Sequence, residues 1–499
     1  MDKQQNQTVG NLRGPYIPST TPKNEHGSKV VNSLQEIVKL CGLTDGMTIS
    51  FHHHFRSGDR LVDWVLDSLA EMGFKKLTVL ASSLPGGHTD LIHHLQSGVI
   101  GRLESSGLHG ALGEAISYGA MQQPVVFRSH GGRALAIAQG DTPIDIAFLS
   151  APSSDAFGNA NGYTPDDDDG MMCGSLGYAQ VDAQFAKHTV IVTNHLVSYP
   201  NTPYGISQQW VDYVLVSDVK IGEPSGIMQG TTRSSFSPKE SLISEKAAKV
   251  IEASGYFYDG FSMQMGSGGA SLATAAFLRQ SMLRRNIHAS FALGGITGSI
   301  VAMHEEGLIG RLLDVQSFDL RAAESLRKNH YHRQISALYY AAAGPRGAAV
   351  DQLDFVVLSA LEIDTGFNVN VLTGSDGIIR GAIGGHSDTA AGASLTVIAT
   401  PLTRGRIPCI VEKVLTVTTP GNTVDVLVTD QGIAVNPARK ELAQRLAEAG
   451  IATVSIEELR QKALTITGQP SPIPFTNKVV GLVAYRDNTL LDSVYEAVR

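Results

Sequence analysis

The chain has 499 residues and a formal net charge of −8 at pH 7, with 42% hydrophobic and 17% charged residues. This length exceeds what one ordinary core accommodates, and the composition is that of a globular protein, so two domains are expected. The acidic balance argues against a nucleic-acid partner, and no apolar run of about 18 residues is present that could cross a membrane.

Residues 1–30 are predicted to form a flexible N-terminal tail. The tail has no apolar h-region, so we expect no secretory signal. The three cysteines, Cys41, Cys173 and Cys409, lie far apart and form no C-x-x-C pair. Such spacing favours neither a disulfide framework nor a zinc knuckle, and we expect a cytoplasmic protein.

Three consecutive histidines, His52, His53 and His54, follow the first β-rich stretch in "MTISFHHHFRSGD". In an extended backbone the first and third point to one side and the second to the other. Three interpretations stay open at this point: a metal site, a packed histidine cluster, or the polar lining of a substrate site together with Arg56 and Ser57. A metal site would need a further ligand, and no H-E-x-x-H motif follows. A polar lining suits a polycarboxylate, because imidazole and guanidinium groups donate hydrogen bonds to carboxylates.

Three residues in "VVFRSHGGRAL", Arg128, His130 and Arg133, add further cationic candidates for this site. A solvated loop side chain is the alternative for each of them. The sequence contains no G-x-S-x-G motif, so it indicates no serine nucleophile.

Short β-rich runs alternate with helical runs along the whole chain, which predicts open, mostly parallel α/β sheets. The predicted strands are Leu77–Ala81, Ile144–Leu149, Thr189–Thr193, Tyr213–Val216, Ala289–Leu293, Phe355–Leu358, Leu395–Ala399 and Val424–Val428. Ligands in such sheets bind beyond the carboxyl ends of the strands.

Glycine-rich loops follow predicted strands at three places in the second half of the chain. They contain Gly266, Ser267, Gly268 and Gly269; Gly294 and Gly295; and Gly384 and Gly385. Adjacent glycines can aim two backbone N–H groups at one point, as an oxyanion or a phosphate requires. Plain turn chemistry is the alternative for each loop.

Two segments read alike, "FLSAPSSDAFGNAN" at residues 148–161 and "VLSALEIDTGFNVN" at residues 357–370. Serine, aspartate and asparagine recur in both at the same relative positions. We therefore predict two homologous α/β domains, at residues 31–230 and 231–499, which meet near the polar stretch at residues 225–245.

The stretches "GSGGASLATAAFLR", "LSALEIDTGFNVN", "IGGHSD" and "VDVLVTDQGIAVNP" resemble coenzyme A transferases. Within that group, "YPNTPYGISQQWVDYVLVSDVKIGEPSGIMQGTTR" is similar to the alpha subunits of citrate lyases. The likeness extends from about residue 30 to the end, and it implies a coenzyme A transferase-like fold in both domains.

The resemblance also implies an activity, the exchange of acetate for citrate on a thioester carried by an acyl carrier protein, the gamma subunit. A separate lyase subunit, the beta subunit, would then cleave the citryl thioester to oxaloacetate and an acetyl thioester. The carrier would hold a prosthetic group derived from dephospho-CoA, acetyl-CoA could replace it, and no permanently bound cofactor or metal is implied. We also expect a homo-oligomer.

Two departures from relatives that act on acetate affect the expected mechanism. Those relatives carry G-x-G-G-x-x-D, and Ala382 here stands at the first glycine. They also use a glutamate nucleophile, whereas the corresponding stretch "GGITG" has no carboxylate, and Glu362 lies in a different shared segment. The resemblance then implies direct reaction in a ternary complex, through a mixed anhydride.

These implications assign expected roles to the candidate residues. Citrate would be bound on the first-domain side by His52, His53, His54, Arg56, Ser57, Arg128 and Arg133. The thioester would be bound on the second-domain side by Gly266, Ser267, Gly268 and Gly269, and oxyanions by Gly294, Gly295, Gly384 and Gly385. Another acyl-CoA transferase, a thioester hydrolase, a metal-dependent hydrolase and a non-catalytic ligand sensor are the alternatives.

Overall fold

The computed structural model describes residues 27–165, 170–228, 236–344 and 346–498, so most of the predicted tail lies outside the described residues. In the first half the elements are β1 (Val30–Val31), α1 (Leu34–Cys41), β2 (Thr48–Phe51), α2 (Leu61–Glu71), β3 (Leu77–Ala81), α3 (Leu91–Gln96), β4 (Ile100–Ser105), α4 (Gly110–Ser117), β5 (Val125–Phe127), α5 (His130–Gln139), β6 (Ile146–Ser150), β7 (Ser153–Asp155), β8 (Ala160–Asn161), α6 (Ala179–Phe185), β9 (His188–Thr193), β10 (Leu196–Val197), β11 (Tyr213–Val216) and α7 (Ser225–Met228).

In the second half they are α8 (Pro238–Ala253), β12 (Phe261–Met265), α9 (Gly269–Arg285), β13 (Ala289–Ile296), α10 (Gly298–Glu305), β14 (Ile309–Ser317), α11 (Leu320–Lys328), β15 (His332–Gln334), α12 (Ala337–Ala341), β16 (Phe355–Leu358), β17 (Glu362–Asp364), β18 (Val369–Asn370), α13 (His386–Gly392), β19 (Leu395–Ala399), β20 (Thr403–Arg404), β21 (Ile407–Pro408), β22 (Ile410–Val411), β23 (Val426–Thr429), β24 (Gly432–Val435), α14 (Lys440–Glu448), α15 (Ile456–Thr467), β25 (Phe475–Ala484) and β26 (Leu490–Ala497). None of the helices in these ranges is both long and apolar enough to span a bilayer.

Two large sheets organise the chain. The first has the order β1-β11-β9-β6-β2-β3-β4-β5-β25-β26, and the second has the order β15-β14-β13-β12-β16-β19-β23-β24. Neighbouring strands are parallel except in two pairs, β25 with β26 and β23 with β24. The predicted fold class, open and mostly parallel α/β sheets, is confirmed.

The two sheets contain the same arrangement twice. Seven strands of the first sheet, β11-β9-β6-β2-β3-β4-β5, correspond in order to β23-β19-β16-β12-β13-β14-β15 of the second. The matched segments also fold alike, since one carboxylate oxygen of Asp155 accepts from the amides of Phe157 and Asn159, and Asp364 does the same with Gly366 and Asn368. The internal repeat in the sequence therefore corresponds to a repeated structural unit.

The C-terminal hairpin of β25 and β26 joins the sheet of the first half. Strand β25 pairs in parallel with β5, and Val480, Val483 and Val494 belong to the first-half core. The predicted division of the chain at residue 230 stays a prediction, but these last strands, expected in the second domain, are hydrogen-bonded to the first sheet. Their partner strand is more than 300 residues away in sequence, which a local pattern does not indicate.

Local sequence explains where the elements begin. Helix α8 starts with a capping box, in which the Ser237 side chain accepts from the Glu240 amide and the Glu240 side chain accepts from the Ser237 amide. Pro238 is the first residue of the helix, a position that proline favours. Strands such as β9 and β16 are apolar and almost wholly buried, because helices cover both faces of a parallel sheet. The largest core cluster also includes Leu293 and Ile383 of the second half, so the two halves share buried surface.

Candidate functional site

A cavity of about 390 Å³ lies where the two halves meet. The first half contributes polar and aromatic side chains to its wall: His53, Arg56, Ser83, Ser106, His109, His130 and Tyr178. The second half contributes glycine turns and further polar groups: Gln264, Gly266, Ser267, Gly295, Gln316, Phe318, Tyr340, Ser359, Arg380, Gly384, Gly385, His386 and Arg404. Predicted site residues from both halves therefore meet at one cavity.

The histidine run divides between the cavity and the core behind it. His53 lines the cavity, and its Nδ1 lies 2.6 Å from the Ser82 hydroxyl. His52 and His54 lie outside the wall, where their rings stack with centroids 5.4 Å apart. Burial lowers the pKa of all three imidazoles, so they are neutral near pH 7. Among the described residues, no three histidine, cysteine, aspartate or glutamate side chains are placed so that they could hold one metal ion.

Arg133 also lies behind the wall. Its guanidinium donates two hydrogen bonds of 2.7 Å to the buried Asp182 carboxylate, whose second neighbour is His52 Nε2 at 2.9 Å. Although burial acts to raise the pKa of Asp182, the Arg133 charge and the hydrogen bonds from Arg133 and His52 outweigh it and hold that pKa below its usual range. Arg133 therefore neutralises a buried carboxylate that His52 also contacts, and the positions of both residues do not support the predicted contact with citrate.

Two other predicted citrate residues point elsewhere. Arg128 donates to Glu104 at 3.0 Å and to Asn488 at 2.6 Å, which links the first half to the C-terminal hairpin. The Ser57 hydroxyl donates to the Gly226 carbonyl at 3.4 Å. Neither residue is part of the cavity wall.

Arg56 does line the cavity, in an unusual setting. Its backbone has φ of 53°, which a residue other than glycine adopts only when its surroundings hold it there. The guanidinium lies 4.6 Å from the centroid of the Phe318 ring, and burial lowers its pKa. Among the described residues no carboxylate forms an ion pair with it. A cation so placed is suited to an anionic ligand.

The three glycine loops contribute unequally to the wall. Gly266 and Ser267 line the cavity, whereas Gly268 and Gly269 open helix α9 behind it. The Gly266 amide donates to the Val357 carbonyl at 2.7 Å, so this amide is already used within the sheet. Gly268 leaves no room for a side chain, since a methyl group there would lie 2.6 Å from the Ser359 hydroxyl.

The other two glycine loops bring Gly295, Gly384 and Gly385 to the wall, while Gly294 lies behind the Gln264 side chain. A methyl group on Gly295 would lie 2.2 Å from the Phe318 ring, and one on Gly385 would lie 2.4 Å from the Tyr340 hydroxyl. Gly384 has φ of 56°, which favours glycine. Backbone thus forms this part of the wall because side chains have no space.

Ala382 fits the same turn for a steric reason. It pairs with Gly107 of the first half, and a methyl group on Gly107 would lie 2.2 Å from the Ala382 Cβ. The Ile383 amide donates to the Ser106 carbonyl at 2.7 Å. Gly107 makes room for the side chain at position 382, and the turn is held against the first half by backbone hydrogen bonds.

Several wall residues have no counterpart among the predicted site residues, notably Tyr178, Gln264 and Tyr340. The internal repeat could have indicated Tyr178, because Gly177 and Gly384 occupy equivalent positions in the two repeated units. The Ala337 amide donates to the Gly177 carbonyl, just as the His130 amide donates to the Gly384 carbonyl. Gln264 and Tyr340 form a buried pair, with Gln264 Nε2 donating to Tyr340 Oη at 2.9 Å. No sequence pattern connects those two residues.

The comparison with known families decides the identity. The sequence profile described as "Citrate lyase, alpha subunit (CitF)" matches residues 27–497. The chain belongs to the citrate lyase alpha subunit family. It is 53% identical to the citrate lyase alpha chain of Klebsiella pneumoniae, with 97% of this chain and 94% of the relative covered. It is 55% identical to that of Escherichia coli strain K12, with 94% and 91% covered.

A solved structure of the same family has the same fold over nearly the whole chain. It is the alpha subunit of citrate lyase from Streptococcus mutans in complex with citrate, with 50% identity, a TM-score of 0.92, and 98% of this chain and 96% of that chain covered. The resemblance to citrate lyase alpha subunits, and the transferase class that goes with it, are confirmed.

The acidic and thiol side chains nearest in sequence to the site lie outside the cavity wall. In the described part of the chain this wall includes no aspartate, glutamate or cysteine side chain. Glu362 lies outside the wall, where its carboxylate accepts from Asn370 Nδ2 at 3.0 Å and burial raises its pKa.

Proposed function

We propose that this chain is a citrate CoA-transferase that exchanges acetate for citrate on a thioester and releases a citryl thioester. The observation that carries the proposal is one cavity in which glycine turns and basic side chains meet and which has no carboxylate or thiol in its described wall. Acetyl-CoA, or the dephospho-CoA-derived group of an acyl carrier gamma subunit, is the donor. A beta subunit with lyase activity consumes the product in a cytoplasmic complex.

Citrate is a tricarboxylate, so the carboxylates that do not react need hydrogen-bond donors in the cavity. Arg56 supplies a permanent charge beside the cavity, and His53 supplies a neutral imidazole. The solved relative with bound citrate supports a citrate site in the family. We assign citrate to the side of the cavity formed by Arg56 and His53, and the thioester to the side formed by Gly266 and Ser267.

The reaction then needs no nucleophile from the protein. A citrate carboxylate oxygen attacks the acetyl carbonyl carbon, and the thiolate leaves as a mixed anhydride forms. The thiolate then attacks the citryl carbonyl, and acetate leaves with the bridging oxygen. Holding both acyl groups in one cavity contributes roughly 7–11 kcal/mol to lowering the barrier.

Each carbonyl attack creates an oxyanion that needs preorganised donors. The turn at Gly384 and Gly385, with Gly295 opposite, presents backbone rather than side chains to the cavity. One such donor typically contributes about 3 kcal/mol to the transition state. We assign this role to the Gly384 and Gly385 turn, in place of the four glycines expected from the sequence.

The decisive experiment incubates the purified chain with acetyl-CoA and citrate and measures products by mass spectrometry. We expect citryl-CoA and acetate in equal amounts. Release of CoA without citryl-CoA would indicate a thioester hydrolase and contradict the proposal.

A second arm tests direct transfer and omits citrate. The chain with acetyl-CoA alone should release no burst of acetate and gain no mass. A burst of acetate equal to the enzyme concentration, together with a CoA adduct on the chain, would exclude direct transfer while leaving the overall exchange intact.

A further inference from the structure

His130 lies at the point where the first half touches the Gly384 turn. It is the first residue of helix α5, and its backbone amide donates to the Gly384 carbonyl at 2.8 Å. A methyl group on Gly384 would lie 3.6 Å from His130 Nε2. The imidazole therefore sits directly beside the turn to which we assign oxyanion binding.

The His130 ring also lines the cavity with its hydrogen-bonding capacity unused. Among the described residues nothing forms a hydrogen bond with either ring nitrogen. By contrast, His53 is bonded to Ser82 and His386 is bonded to Thr419 and Ser359. The ring is half-buried and lines the cavity, so its unpaired nitrogens are available to a ligand that enters there.

The surroundings of His130 hold its position from both halves. The Tyr178 ring lies against it with centroids 4.2 Å apart. The flanking Ser129 hydroxyl and Gly131 amide donate to the two carboxylate oxygens of Asp388, at 2.7 and 2.9 Å. A methyl group on Gly131 would lie 2.2 Å from the Ala341 carbonyl oxygen, so the helix start is seated closely on the second half. Preorganisation of this kind is what an oxyanion donor needs.

The charge state of the His130 imidazole suits a hydrogen-bond donor that does not transfer its proton. Burial, followed by the charge of Arg133, lowers the pKa of His130 to about 3. The ring is therefore neutral across the physiological range and carries one N–H. A neutral imidazole polarises a carbonyl by hydrogen bonding without transferring its proton.

We propose that His130 is a catalytic residue that donates a hydrogen bond from Nε2 to the oxyanion formed at the Gly384 turn. The proposal rests on the proposed function. As the citrate oxygen bonds to the acetyl carbon, the carbonyl π electrons move to oxygen and are stabilised by this N–H. They return when the C–S bond breaks and the thiolate leaves, so no proton is transferred. The second attack, by the thiolate on the citryl carbonyl, uses the same donor.

The test compares His130→Ala and His130→Gln with the wild-type chain, using steady-state kinetics of citryl-CoA formation. We expect His130→Ala to lower kcat by about 100-fold to 1,000-fold, as removal of an oxyanion donor does, with KM for citrate and for acetyl-CoA within about threefold. His130→Gln should recover at least about tenfold of that loss, because its amide N–H can donate in place of the imidazole. His93→Ala, at an exposed position on α3, is the control and should match wild type.

Unfolding midpoints of all variants separate a catalytic role from a structural one. The proposal is overturned if His130→Ala retains kcat within threefold of wild type, if only the two KM values change, or if folded His130→Gln is no better than His130→Ala. It is equally overturned if neither variant folds, since the ring would then be structural. A wild-type chain that forms no citryl-CoA would instead refute the proposed function.

Discussion

Arg56 shows how one side chain can be assigned a ligand from its surroundings. It is a half-buried cation in a left-handed backbone conformation, it lies over the Phe318 ring, and no described carboxylate pairs with it. Replacing it with alanine should raise KM for citrate by about 10-fold to 100-fold, because a charge-assisted hydrogen bond contributes about 1.5–3 kcal/mol. KM for acetyl-CoA should change by less than about threefold.

Arg128 is the matched comparison, since the sequence places both arginines at the citrate site. Its guanidinium is engaged by Glu104 and Asn488 outside the cavity. Arg128→Ala should therefore leave KM for citrate within about twofold of wild type. Equal increases in both KM values for Arg56→Ala would remove the assignment of Arg56 to citrate.

The histidine run shows what the sequence determines at this scale. Alternation along a strand correctly predicts that His53 faces away from His52 and His54. It does not say which side meets the cavity, because both faces of a parallel sheet are buried. The carboxylate that engages His52, Asp182, is distant in sequence, so its contact with the run is visible only in the folded chain.

At the scale of elements, the sequence predicts the strands correctly, but it does not predict how much each glycine loop contributes to the cavity wall. Strands Tyr213–Val216 and Leu395–Ala399 have the predicted bounds, and Ile144–Leu149 moves by two residues at its start, to Ile146–Ser150. The glycine loops were all predicted, but their contributions to the wall depend on how the halves meet, as at Gly107 and Ala382. Such contacts leave no periodic pattern in the sequence.

The start of helix α2 carries a pH-dependent contribution to stability. Asp59 is buried, one carboxylate oxygen accepts from the Leu61 amide at 3.0 Å, and burial raises its pKa to about 7. Between about pH 4 and 7 the folded chain keeps a proton that the unfolded chain, with a pKa of about 3.9, has lost. The contribution of this group to stability therefore falls as pH rises through that window.

Asp59→Asn removes this titration. The free energy of unfolding of the variant, relative to wild type, should increase by about 1 kcal/mol per pH unit between pH 5 and 7. Urea unfolding followed by the fluorescence of the two tryptophans, Trp64 in α2 and Trp210, measures the difference. Glu71→Gln, at the exposed end of the same helix, should shift the midpoint equally at both pH values. A difference for Asp59→Asn that does not change with pH would contradict the assignment.

At the scale of the whole molecule, the repeat explains why the site lies between the halves. Each half supplies most of one mostly parallel sheet, and loops from both sheets line one cavity. The repeat was legible in the sequence because matched turns need matched residues, such as Asp155 and Asp364. The C-terminal hairpin was not, because strand propensity indicates a strand and not its partner.

That hairpin gives a direct test of how the first half is completed. Val494 on β26 is 3% exposed and belongs to the first-half core, whereas Leu490 on the same strand is 67% exposed. Val494→Asp buries a carboxylate among apolar side chains and should reduce the free energy of unfolding by on the order of 3 kcal/mol or more. Leu490→Asp should change it by less than about 0.5 kcal/mol.

Hydrogen exchange should show faster exchange of the β5 amides, Val125–Phe127, in Val494→Asp, because β25 is their sheet neighbour. Unchanged protection of β5 in that variant would mean that the first sheet is stable without the end of the chain.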